Sequence, residues 1–343
     1  MPGRPIGAFM LKLLTATFLS ILLSGCGREL SRTEFLLGTV CTIRIWGGNE
    51  ADLDAAFDRI REIEELMSRH IPGSDVNRIS TGGPGGTLVD TSTCTVIRRA
   101  LDFGRLSGGL FDITLAPVVD LWGFGTDRAA VPAAETLEAA LPLVDYRRIE
   151  VRDGCTVVTG EGQGIDLGGI AKGYASHECA RVLAERGVDR ALVNLGGNVF
   201  ALGEKKDGSP WTIGIQDPLE PTGSSLGILE ISGGAVVTSG IYERFFEEDG
   251  KRYHHILDPG TGYPVDNNLS GVSVSIASGL DADALSTSLF LLGIERGCDL
   301  LRSFPGSGAV FVTKDREVVT FGSASTAFRL INQDYTVTER LQP

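Results

Sequence analysis

Residues 164–197 read GIDLGGIAKGYASHECARVLAERGVDRALVNLGG. A glycine-rich loop closes at Gly168-Gly169, a helix is predicted over about 170–186 with Gly187 as its stop, and a strand follows over 191–195 before Gly196-Gly197. Strands and helices do not alternate regularly on either side of this segment. Downstream, 211–276 consists of short strand-like pieces separated by Gly, Pro and Asn, followed by one helix over about 281–302 and strands over 308–321. Upstream, 35–46 (FLLGTVCTIRIW) reads as a strand, and 51–69 places Leu53, Ala56, Phe57, Ile60, Ile63 and Met67 at helical spacing. A loop at 81–86, a helix near 92–107, an aromatic and turn-rich stretch at 110–125, a helical patch around 132–141 and β-like pieces at 147–159 fill the rest. Mixed strands and helices without βα alternation predict an α+β fold, with mixed or antiparallel sheets flanked by helices.

The chain has 343 residues and a formal net charge of −13. That charge repels phosphate backbones and argues against nucleic-acid binding. It also means that an anionic ligand needs local compensation from a metal, a lysine or helix N-termini. The 45 glycines are unusually many and cluster in loops, as expected of backbone wrapped closely around a ligand. Residues 1–25 have the parts of an export signal: Arg4 and Lys12, an apolar run from Leu13 to Leu23, then Leu23-Ser24-Gly25-Cys26. The tetrapeptide looks like a bacterial lipobox, which makes Cys26 the acylated first residue of the mature chain; an ordinary cleaved signal with an incidental Cys is the alternative. The expected organisation is a signal at 1–25, a tether at 26–33 and one domain at 34–343. The chain then faces the periplasm or the cell exterior, held to a membrane by lipid. The other cysteines, Cys41, Cys94, Cys155, Cys179 and Cys298, are scattered without CxxC spacing, so neither zinc nor a redox pair is indicated. A disulfide is permitted in that compartment, but buried thiols are the reading taken.

Three segments carry candidate chemistry. In the first, Gly168-Gly169 open a helix with free N–H groups and a carbonyl, and Lys172 can reach an anion there; a glycine turn with a solvated Lys172 is the alternative. In the second, Asp283 and Thr287 lie four apart on one helix face, an oxygen pair suited to a hard cation such as Mg²⁺; a capping acid with an interior threonine is the alternative. In the third, His254 and His255 point to opposite faces of a strand, so only one can serve a site as general base, and Asp258-Pro259-Gly260 reads as a tight turn. A surface His pair is the alternative.

Taken in order, these segments resemble the ApbE family of FAD:protein FMN transferases, as do Gly38-Thr39, Met67-Ser68 through Ile79, Phe111-Asp112-Ile113-Thr114, Trp122-Gly123-Phe124-Gly125 and Val237-Thr238-Ser239-Gly240 with Tyr242. The resemblance implies a T-fold-like architecture and cleavage of FAD at its pyrophosphate. The FMN half then passes to a threonine or serine of a target protein, and AMP is released. By resemblance, Asp283, Thr287 and a backbone oxygen at Gly169 hold Mg²⁺. The flavin nucleotide lies near Leu37, His70, Leu110, Phe111, Asp112, Asp166, Lys172 and the backbone of Leu257, and His255 is the catalytic histidine. The acceptors it implies are membrane-bound electron-transfer proteins with a Ser/Asp-Gly-Ala-Thr-like sequence, which this chain lacks.

The sequence also departs from the family pattern. Leu37 replaces a methionine, His70 a tyrosine and Ser80 an asparagine, and Gly260 removes a frequent basic residue. Asp281 adds a carboxylate that either serves a second metal or caps the helix. Two other activities fit the same residues: a Mg²⁺-dependent FAD pyrophosphatase using water, and a flavin-binding lipoprotein without chemistry.

Overall fold

A computed structural model describes residues 29–82 and 85–342; the signal segment and Cys26 lie outside them. The chain runs β1 (Glu29–Leu36), β2 (Thr39–Trp46), α1 (Glu50–Met67), α2 (Asp75–Thr81), β3 (Thr87–Leu88), α3 (Thr91–Leu106), α4 (Ala116–Trp122), α5 (Ala134–Ala140), β4 (Glu150–Arg152), β5 (Thr156–Val158) and α6 (Ala171–Glu185). It continues through β6 (Arg190–Leu195), β7 (Asn198–Leu202), β8 (Trp211–Gln216), β9 (Ser225–Ile231), β10 (Gly234–Gly240), β11 (Phe245–Glu248), β12 (Lys251–His254), β13 (Leu269–Ile276) and α7 (Gly279–Leu301). It ends with β14 (Gly308–Thr313), β15 (Glu317–Gly322), α8 (Ala324–Ala327), β16 (Phe328–Leu330) and β17 (Thr336–Leu341).

The α+β expectation holds. Nine strands form one sheet in the order β1-β2-β6-β7-β10-β13-β14-β15-β17, with only β15 and β17 parallel. Alternation along the strands gives that sheet two apolar faces. Cys41, Ile43, Val193, Val237, Val272 and Phe311 turn to one side, where α1, α6 and α7 cover them and α3 packs on α1 and α7. Val310, Val312 and Val318 turn to the other, against Ile213, Ile215, Leu229 and Phe328 of the small sheet β16-β9-β8. A third cluster gathers around Trp122, which is fully buried beside Val118, Leu137 and Leu257.

Several local readings are corrected. The single strand expected at 35–46 is a hairpin, β1 and β2, because Leu37 and Gly38 both take positive φ (54° and 67°) and reverse the chain. Residues 29–33, assigned to the tether, are the outer part of β1. The turn-rich 110–125 contains α4. The helix near 281–302 is broken at Gly293 (φ 76°), where Asn267 Nδ2 donates to the carbonyl of Phe290 at 2.7 Å. β17 was missed because its sequence, TVTERL, is mostly polar on a sheet edge. Cys94 and Cys155 form a disulfide, with Cα atoms 5.6 Å apart, where β5 packs by the start of α3. Sixty-one residues separate them in sequence, so spacing gave no sign of the pairing. Cys41, Cys179 and Cys298 are the buried thiols expected.

Candidate active site

The site is organised by the close approach of α6 to α7. Ser278 caps α7, its Oγ accepting the N–H of Asp281 at 3.2 Å, so Asp283 is not a capping acid. One turn further on, Asp283 is 3 % exposed and its Oδ2 accepts the N–H of Gly173 at 2.8 Å. Its other oxygen has no hydrogen-bond partner among the described residues. The contact needs a glycine, because a Cβ at Gly173 would lie 2.2 Å from the carbonyl oxygen of Gly279 and 2.5 Å from Asp283 Cβ. Gly173→Ala is therefore expected to force the helices apart and cost about 2–3 kcal/mol, read as a lowered denaturant midpoint with an unchanged slope.

Thr287, one turn beyond Asp283, has its Oγ1 3.2 Å from Ser239 Oγ on β10. It also lies 3.6 Å from the position of a Cβ on Gly169, beside the ring of Phe111 at 3.3 Å. Gly169 and Thr287, far apart in sequence, thus stand side by side, one helical turn along α7 from Asp283. No group of three His, Cys, Asp or Glu is gathered anywhere among the described residues. The donors here are one carboxylate, one hydroxyl and a carbonyl, all hard oxygens, and that set fits a Mg²⁺ that keeps water or substrate oxygens as its remaining ligands. Asp281 is not part of it: its carboxylate pairs with Arg99 Nε at 2.6 Å.

The histidines divide as their alternation requires. His254, at the end of β12, is buried with its Nδ1 unpartnered among the described residues, and its ring meets Phe290 edge-on. Burial pushes its pKa down to about 4; Lys314 and Arg252 add to the shift while Asp266 opposes it. A depressed folded-state pKa adds stability that is complete above the unfolded value of about 6.5 and is lost as pH falls towards 4, about 3 kcal/mol in all. His254→Phe is expected to flatten the acid side of the stability curve over that interval, measured by urea unfolding from pH 7.5 to 4.

His255 is half-buried. Its backbone N–H donates to the carbonyl of Arg244 at 3.1 Å, and its Nδ1 sits 3.2 Å from the same oxygen. A carbonyl only accepts, so Nδ1 carries the proton and Nε2 keeps its lone pair. The ring retains an open edge, yet burial, reinforced by the neighbouring cations Arg244 and Lys172, pushes its pKa down to about 3. It is a neutral base at physiological pH. Glu243 keeps an exposed edge too, but withdrawal of its carboxyl from water, aided by Asp283, raises it to about 7 against the opposing pull of Lys172 and Arg244.

The residues expected near a nucleotide are held in different ways. Lys172 Nζ donates to the carbonyl of Gly168 at 3.4 Å, so it folds back over the loop rather than standing free in solvent. Asp166 accepts the Gly168 N–H at 2.7 Å and is held by Arg69 at 3.2 Å, while Ser80 Oγ accepts the N–H of Ile165 at 3.1 Å. Leu37 gives its N–H to Glu64 at 2.7 Å. Leu110 packs at the margin of the core with the buried Phe111. Asp112 is different: its carboxylate accepts from the backbone and hydroxyl of Thr114 and from the Tyr146 N–H, so its side chain is used in building the loop. His70 is exposed, and its only described hydrogen bond runs from its N–H to Ser68 Oγ, 3.3 Å away. Leu257 is buried in the Trp122 cluster and bridges Pro264. Trp122 Nε1 donates to the carbonyl of Gly262 at 2.8 Å, and Asp258 receives the N–H groups of Thr261 and Gly262, so the tight turn expected at 258–260 is formed.

Sequence reading missed Arg69, Glu243 and Arg244. The sign available for the last two was position: they directly follow Tyr242, on the exit from β10.

The ApbE family model matches residues 37–311, which include every one of these site residues. The chain belongs to the ApbE family. An FAD:protein FMN transferase of Treponema pallidum is 38% identical over 312 residues, covering 85% of this chain and 86% of its own. One of Klebsiella pneumoniae is 36% identical over 313 residues, covering 90% and 97%. Among solved structures, the ApbE protein of Thermotoga maritima superposes with a TM-score of 0.78 at 31% identity, over 85% of this chain and 96% of that one. The flavin transferase ApbE of Vibrio cholerae gives 0.75 at 28% identity, over 84% and 94%.

Proposed function

We propose that this chain is an FAD:protein FMN transferase in which His255 takes the proton from the acceptor hydroxyl and Asp283, Thr287 and Gly169 hold Mg²⁺. The observation that carries the reading is His255 itself, a base fixed by one carbonyl through two of its nitrogens. A hydroxyl has too high a pKa to attack phosphorus unaided, and a base within hydrogen-bond reach removes that barrier. The acceptor oxygen bonds to the flavin-side phosphorus as the bridging P–O bond breaks. The hydroxyl proton passes to His255 Nε2, and AMP leaves with the bridging oxygen. Mg²⁺ supplies charge neutralisation at the phosphates. Lys172 adds a fixed positive charge beside His255, and Asp166 and Leu37 border the nucleotide.

Acylation of Cys26 places the enzyme on a membrane facing the periplasm or cell exterior. Its acceptors are membrane-bound electron-transfer proteins with a Ser/Asp-Gly-Ala-Thr-like sequence. Sharing their surface raises effective concentration without any new contact. The test is to incubate the chain with FAD, Mg²⁺ and an acceptor domain and to weigh the products. FMN mass on the acceptor is expected. Free FMN and AMP with unmodified acceptor would make it a pyrophosphatase, and intact FAD a binder.

A further inference from the structure

We propose that Arg244 is the anion clamp of the cleft and binds the phosphate group that departs with AMP. The inference rests on the transferase reading and extends it to a residue that neither the sequence motifs nor the metal donors include.

Three observations place this guanidinium. The Arg244 carbonyl is the oxygen that fixes both the backbone and the ring of His255, so its side chain starts next to the base. The side chain then reaches the turn between β1 and β2, with Nη2 3.9 Å from the position a Cβ would take on Gly38. It therefore spans from the base to the Leu37–Gly38 turn, which the nucleotide is expected to border. Finally, it has no hydrogen-bond or ion-pair acceptor among the described residues. Three other arginines are held by carboxylates: Arg69 by Asp120 and Asp166, Arg59 by Glu62 and Glu178, and Arg99 by Asp102 and Asp281. An arginine beside the base with no hydrogen-bonded carboxylate keeps its donors for an anion from outside.

The anion with the greatest need is the leaving group. When the bridging bond breaks, the phosphate of AMP gains the negative charge that the pyrophosphate bridge had shared, and a guanidinium already in position stabilises that charge more in the transition state than in bound FAD. Loss of such a donor costs about 10²–10³ in rate. A carboxylate of the acceptor protein is the rival ligand, and binding without acceptor separates the two.

The experiment titrates the wild type and Arg244→Gln with ADP in EDTA, so that metal does not mask the loss, and with riboflavin, which has no phosphate and reports an intact flavin pocket. An ADP affinity at least tenfold weaker with riboflavin binding unchanged is expected, together with a kcat for transfer reduced more than KM for FAD is raised. Arg244→Met keeps the aliphatic stem and must show the same phosphate-selective loss. Unchanged ADP binding overturns the proposal, and a raised KM for acceptor in that case assigns Arg244 to the acceptor instead. If the wild type itself transfers no FMN, the transferase reading fails, while the ADP comparison still decides whether Arg244 holds a phosphate.

Discussion

His255→Ala lowers the rate of FMN transfer by about 10²–10⁴, the range lost with a general base, and leaves the affinity for FAD within a few-fold of the wild type. The split follows from the geometry. The imidazole is anchored through Nδ1 to the Arg244 carbonyl, so Nε2 is left with its lone pair as a proton acceptor, and binding of the flavin falls to other residues. Burial and two cations keep it unprotonated, so the wild-type rate should not decline between pH 8 and pH 5.5 through titration of this ring. Single-turnover transfer and equilibrium FAD binding, measured on the same variant, check it. Transfer at the wild-type rate would move the base elsewhere.

Asp283→Asn should cost about 10³ in transfer, the effect of several kcal/mol of phosphate charge left without its metal, and should abolish stimulation by Mg²⁺. The asparagine oxygen still accepts the Gly173 N–H, so the fold should survive. Asp283→Ala adds a structural loss, because the buried Gly173 N–H then has no acceptor, at about 1–3 kcal/mol. Comparing the two variants by activity against Mg²⁺ and by urea unfolding separates the metal role from the structural one. An unaltered Mg²⁺ requirement in Asp283→Asn would remove this carboxylate from the metal.

Much of this site could be read from the sequence where the message was local. Apolar spacing located α1, α3, α6 and α7 to within about two residues of where they lie, because helical periodicity is written into adjacent turns. Asp283 and Thr287 were paired by the same logic. The His254/His255 division followed from strand alternation, and one ring is in the core while the other is half-buried against the Arg244 carbonyl. What could not be read depended on partners distant along the chain. Nothing near Gly173 foretells that Gly279 will pass against it. Nothing near Cys94 names Cys155, and the role of the Arg244 carbonyl appears only when β12 returns beside the exit from β10. Leu37 misled for a different reason: leucine rarely takes a left-handed conformation, so FLLGTV looked like uninterrupted strand. The Leu37 N–H bond to Glu64 helps hold that turn.

The early start of β1 sets a vertical scale. Its first residue, Glu29, is three steps from Cys26, at most roughly 11 Å of extended chain. The strand then rises about 23 Å over its length and delivers the Leu37–Gly38 turn to the cleft mouth. With Cys26 acylated as proposed, the reaction can take place no more than roughly 35 Å above the lipid surface. Because β1 is fixed in the nine-stranded sheet, such an anchor would select acceptors by altitude. A threonine presented close to the bilayer is within range, whereas the same sequence displayed at the far end of a tall domain is not.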